Sequence, residues 1–177
     1  DSGNTSNARS FLTGASDDGS VISGSWVDSI DDVRVYNRAL TGDEIKRLYK
    51  IGATLKINTD VSRDNPDLER GLVGLWSFDG KDMAGVTAYD RSGNSNNGTL
   101  TNGPTRAIGK IGQGLSFDGS NDYVNINDPG TSSLDLSSTI SVSAWVYLTN
   151  AGFDQYILSK RNNTVGLAAY QFAYQGE

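Results

Sequence analysis

The sequence predicts an all-β fold of antiparallel strands arranged as a sandwich, and three observations point to it. Glycine is frequent and proline scarce, 21 against 3 in 177 residues, with β-branched and aromatic residues set between short polar turns, which suits strands better than helices. Between Gly71 and Ile126 three apolar runs, LVGLWSF, GLSFDG and DYVNI, are separated by Asn/Gly/Ser turns, the pattern of a β-meander with oxygen-rich loops. Thr139 to Leu148, TISVSAWVYL, alternates most cleanly: Ile140, Val142, Ala144, Val146 and Leu148 share one face, and Ser141, Ser143, Trp145 and Tyr147 the other.

Taken in order, residues 1–10 are small and polar and would form a loop or disordered arm on their own. Phe11 to Ala15 suits a short strand, Asp17 to Ser20 a turn, and Val21 to Leu40 a bulged or broken strand followed by a cleaner one. An unbroken pleat over Ile30 to Tyr36 would put Asp31, Val33 and Val35 on one face and Ile30, Asp32, Arg34 and Tyr36 on the other. Thr41 as N-cap with Glu44 three residues on makes a capping box, flanked by Leu40 and Ile45 as a hydrophobic staple. One short helix over residues 41–50 follows, expected to face the sheet with Ile45, Leu48 and Tyr49 and to stop at Gly52.

Residues 51–70 read as a linker, with a weak alternating run at Thr54 to Ile57 and then a charged stretch holding Pro66. Leu72 to Phe78 restarts a strand, Val86 to Asp90 suits another, and Ser92 to Gly98 is a turn cluster too polar to expect buried. Tyr156 to Ser159 and Leu167 to Tyr174 supply two more strands before the sequence ends at Glu177 within a strand-and-turn pattern. No charged-then-apolar leader precedes Asp1, so the chain reads as a mature or excised segment.

Composition removes whole classes of function. A net charge of −6 leaves no basic patch for a phosphate backbone, so nucleic acid is not an expected partner. No stretch is apolar for long enough to serve as a transmembrane helix. With neither histidine nor cysteine, Ser-His-Asp and Cys-His nucleophiles, disulfides and His/Cys zinc sites are all excluded. Carboxylate chemistry remains. The Asn-X-Ser/Thr matches at Asn4, Asn97 and Asn162 are what chance gives in so Asn-rich a chain.

The runs GLVGLWSFDG, AYDRSGNSNNGTLTNGPT, GKIGQGLSFDGSNDYVNI, SLDLSSTISVSAWVYL and QYILSKRN together closely resemble the first half of bacterial laminin-G-like (LamG-like) domains. These belong to the concanavalin A-like lectin/glucanase superfamily. IDDVRVYNRALTGDEIKRLY resembles the last strand and closing helix of the same family. The likeness spans roughly three quarters of the chain and rests on several motifs together. It implies a concanavalin A-like jelly roll of two antiparallel sheets.

The order of those parts is inverted. Residues 1–50 resemble the C-terminal strands and closing helix of a LamG-like module, residues 51–70 link, and residues 71–177 resemble the N-terminal strands. Segments resembling the family's middle strands are not found. The chain could span the end of one module and the start of the next in a tandem array. It could be a shortened circular permutant, which missing central strands disfavour, or separate chains could complete one another through exposed strand edges.

The resemblance also implies a structural calcium held by Asp79, Asp118, Gly119 and Asp31. Asp31 carries an argument of its own, because a carboxylate on an apolar face is costly unless paired or metal-bound. Equally, it could bond backbone amides or an arginine while the other aspartates cap turns. A glycan site needs an aromatic platform ringed by polar side chains. Trp26, Trp76, Trp145, Tyr123 and Tyr147 are available, with Asn94, Asn96 and Asn97 on one loop, but no single residue reads as a ligand contact, and Trp76 and Trp145 suit a core better than a platform.

Catalysis is not expected. Glycoside hydrolysis needs two carboxylates across a cleft. Of the three glutamates, Glu44 belongs to the capping box, Glu69 to the linker and Glu177 to the terminus. The adjacent pairs Asp17-Asp18 and Asp31-Asp32 would point to opposite faces of a strand. The reading is a non-catalytic extracellular module of a repetitive bacterial or archaeal surface protein, acting in adhesion or glycan binding. The partner would be a glycan or a cell-surface or matrix protein. One alternative is a subunit of an extracellular filament whose neighbours complete the sandwich, self-associating into a homopolymer. Another is a carbohydrate-binding module appended to a secreted glycoside hydrolase.

Overall fold

A computed structural model describes residues 9–17, 22–53, 66–128, 133–136, 138–161 and 170–176. The N-terminal part contributes β1 (Arg9–Thr13), β2 (Ser16–Asp17), β3 (Ile22–Ser23), β4 (Val27–Tyr36) and the helix α1 (Gly42–Ala53). After a short helix α2 (Pro66–Glu69) come β5 (Leu72–Trp76), β6 (Met83–Ala84), β7 (Thr87–Ala88), β8 (Gly98–Thr101) and β9 (Thr105–Ile108). The rest is β10 (Gln113–Asp118), β11 (Tyr123–Asp128), β12 (Ser141–Tyr147), β13 (Gln155–Arg161) and β14 (Tyr170–Tyr174). The expected weak strand at 54–57 and the arm before residue 9 lie outside the described residues.

The fold is the all-β sandwich that the sequence predicts. One sheet has the order β14-β13-β1-β11-β8-β7-β6, the other β12-β4-β10-β9 with β5 also paired to β4, and every pairing is antiparallel. β1 lies between β11 and β13. β4 pairs β12 along one edge, and along the other it pairs β10 through residues 27–30 and β5 through residues 33–36. Each sheet therefore takes a middle strand from residues 9–36, and the N-terminal and C-terminal parts of the chain share both sheets. Phe11, Trp26, Ile30, Val33, Trp76, Phe117 and Ile126 fill the space between the sheets.

The expected meander is not formed. β5 and β10 do not pair with each other but lie end to end along β4, and β11 joins the opposite sheet. The turn after β10 is a corner rather than a hairpin. Asp118 Oδ1 accepts the Ser120 and Asn121 amides, at 2.8 and 3.3 Å, and Gly119 supplies the left-handed φ of 78°. Strands β8 and β9, too short and polar to show in the apolar pattern, were not expected.

The Ser92–Gly98 cluster is less solvated than its polarity suggests. Asn96 is buried because its side-chain amide donates to Val73 O and Ser133 Oγ, both at 2.8 Å, while its backbone carbonyl accepts the Trp76 indole N–H. Asn97 Oδ1 accepts the Asp90 amide and Asn94 donates to Leu72 O. This asparagine loop thus fastens the edge of β5 to the core, and its side chains are occupied.

The capping box forms as expected: Glu44 N–H donates to Thr41 Oγ1 at 3.3 Å and Thr41 N–H to Glu44 Oε2 at 2.8 Å. Arg38 adds a fork to both Glu44 oxygens, at 2.7 and 2.9 Å, and holds that carboxyl down at about 2. Thr41→Ala should lower stability by about 1 kcal/mol, read in a thermal melt against the parent chain. The helix faces differ from expectation. Leu48 is buried with Tyr36 and Leu68, whereas Ile45 and Tyr49 are exposed. Gly52 does not end α1 but lies within its last turn, against the Trp145 indole, where a β-carbon would collide with Cε2 and Cζ2. Among the described residues no helix is long and apolar enough to cross a membrane.

Candidate functional site

The outer face of the β4 sheet is built around one irregularity. Ser143 lies opposite Arg34 and Trp145 opposite Asp31, so Ala144 alone faces the pair Asp32-Val33. That is a β-bulge on β4, with Asp32 in the left-handed region at φ 51°. The extra residue resets the pleat. Ile30, Val33 and Val35 all enter the core, and Asp31 does not share the valine face, as an unbroken strand would require. It turns outward beside Trp145. Asp32 is held by Arg34 through two hydrogen bonds, 3.0 and 3.1 Å.

Helices α1 and α2 cover the Tyr36 end of this face and leave the Ser29–Asp31 end open. There Ser29, Asp31, Ile108, Gly109, Lys110, Trp145, Val146 and Tyr147 line a cleft of about 430 Å³, within the ~300–1,000 Å³ usual for small-ligand sites. Its walls are apolar and accessible: Tyr147 is 64% exposed and Ile108 92%. Trp145 is half-buried, with the Tyr49 ring 5.6 Å away and the Lys110 ammonium 5.5 Å from its ring centroid. A second cavity of about 420 Å³, between α1 and β12, shares Trp145 as its border.

Asp31 sits at the base of the cleft and is only 2% exposed. Oδ2 accepts the Ile111 amide at 2.7 Å, and Oδ1 is buried with no hydrogen-bond partner among the described residues. Gly109 allows this approach, since a β-carbon there would lie 2.6 Å from Asp31 Oδ2. Burial pushes the carboxyl up to about 7; the Ile111 amide opposes the rise, and the charges of Asp32 and Asp79 add to it. Asp79 meets the other end of the same loop, where Oδ1 accepts the Gln113 amide at 2.9 Å and burial raises its pKa.

The four residues expected around a calcium ion are therefore divided. Asp31 and Asp79 flank the 109–113 loop. Asp118 and Gly119 form the β10–β11 corner, with Asp118 opposite Val27, four strand residues or ~13 Å from Asp31. Asp118 Oδ1 already accepts two backbone amides. Among the described residues no group of three or more acidic side chains is placed to hold a metal.

Of the candidate aromatics, Trp26 and Trp76 are buried in the core and Tyr123 begins β11 in the other sheet. Trp145 and Tyr147 reach the cleft. The alternation of β12 already places both on the outer face, so expecting Trp145 in the core weighed its size over its phase. Lys110, Ile108 and Gly109 carried no apolar or acidic pattern; the two glycines of GKIG, at 109 and 112, were their one signal.

Comparison with known proteins gave no matching family, no curated relative and no matching solved structure.

Proposed function

We propose that this chain is a non-catalytic, extracellular LamG-like module of a surface protein that acts in adhesion by binding glycan. The observation that carries the reading is the cleft itself, where two aromatic side chains on one strand, Trp145 and Tyr147, stand beside a hydroxyl at Ser29 and a carboxylate at Asp31. Sugar rings present apolar C–H faces and hydroxyl edges, which such a surface matches. Among the described residues Asp31 is the one carboxylate lining the cleft, whereas hydrolysis of a glycoside uses two.

A glycan array run with the parent chain and Tyr147→Ala tests this. The parent is expected to retain a set of oligosaccharides that the variant loses by tenfold or more in affinity, about 1.4 kcal/mol. Its melting curve should be unchanged, because an exposed side chain contributes little to stability, within about 0.5 kcal/mol. Retention of the same sugars by the variant would remove the cleft as their site.

A further inference from the structure

Resting on the glycan-binding reading, we infer that the cleft prefers sugars bearing a primary ammonium group, the unacetylated hexosamines, and that Asp31 receives the ammonium. Three observations converge on this ligand chemistry. The first is the unpartnered Oδ1 of Asp31 at the base of the cleft. A buried acceptor without a donor is costly, and a ligand N–H⁺ would supply both the hydrogen bond and the opposite charge.

The second is the local charge. Asp32 has its own cation in Arg34, and Lys81 lies near Asp79. Among the described residues Asp31 is met by backbone amides of the 110–111 turn, with Ile111 on Oδ2, and by no cation. β12, packed against it, brings Trp145 and no charge. Among the described residues Lys110 is the one cation lining the cleft, and its ammonium lies over Trp145 rather than on the carboxylate.

That position is the third observation. An ammonium 5.5 Å from the Trp145 centroid shows that the wall already attracts a cation. Lys110 is on a loop and its stem is flexible, so a ligand ammonium can displace it. A hexosamine would then lay its ring on the apolar surface of Tyr147 and Ile108 and turn its amine inward. An N-acetyl group removes the charge and presents a methyl group to a carboxylate.

Calorimetric titration of the full chain at neutral pH and low salt, with glucosamine oligosaccharide against its N-acetylated counterpart, separates the possibilities. The unacetylated oligomer should bind about tenfold tighter or more, the usual scale for a charge-assisted hydrogen bond. Asp31→Asn should abolish that advantage, and Lys110→Ala, which removes the competing ammonium, should strengthen it. Equal or tighter binding of the N-acetylated oligomer, still lost in Tyr147→Ala, would overturn the ammonium preference and leave the glycan reading standing. Equal binding of a lysine-rich peptide would overturn the restriction to sugars. Failure of every oligosaccharide to bind would overturn both readings, and a Lys110→Ala variant no tighter than the parent would remove the shared cation position.

Discussion

Phe11→Ala is expected to lower the unfolding free energy by about 3–5 kcal/mol, the usual cost of emptying a buried phenylalanine site. Phe11 is fully buried, with its ring 5.3 Å from Trp76 and 6.3 Å from Tyr170. Its strand is paired on both edges, to Ile126 and to Lys160. Against a domain stability of ~5–15 kcal/mol this is a large fraction, so the variant's urea midpoint should fall sharply. A change below about 1 kcal/mol would mean that residues 9–13 do not complete the sheet, and that the sandwich is not closed by its own N-terminal segment.

The second large effect is a rise in stability as pH falls from 8 toward 5. In the folded chain the Asp31 carboxyl titrates at about 7, against an ordinary value of 3.8. Unfolding therefore releases a proton throughout that window. The contribution is fully present below 3.8, declines as pH rises, and is lost above about 7. A shift of three units corresponds to about 4 kcal/mol as an upper bound. Glu44 has the opposite sign, but its contribution is lost only as pH falls from its ordinary 4.5 toward about 2. Asp31→Asn keeps an acceptor for the Ile111 amide and removes the charge. Denaturation curves at pH 5 and pH 8 should differ markedly for the parent and little for the variant, which should be the more stable of the two at pH 8. Stabilisation of the parent by calcium at pH 8, absent in Asp31→Asn, would instead assign a metal to this carboxylate.

The fold class was legible because β12, β10 and β11 alternate or run apolar with clean turn residues, and the capping box of α1 is a local signal that needs no tertiary context. What the sequence hid were effects of a single residue's phase or a single close approach. The bulge at Asp31-Asp32 has no apolar marker, yet it decides which side of the sheet the aspartate occupies. Gly52 looks like a helix stop until the Trp145 ring is placed against it. The division of the four candidate calcium ligands follows from β10 leaving one sheet at Asp118, which adjacency in sequence does not reveal. Trp145 could have been placed from its alternation with Tyr147, since the residues opposite in phase supply the core.

The most direct measurement of the central claim is an amide chemical-shift titration with an oligosaccharide retained on the array. Shifts should cluster at residues 29–31, 108–111 and 145–147. Perturbations confined to β13 and β14 or to the corner at residues 118–122, with the β12 amides unmoved, would contradict it.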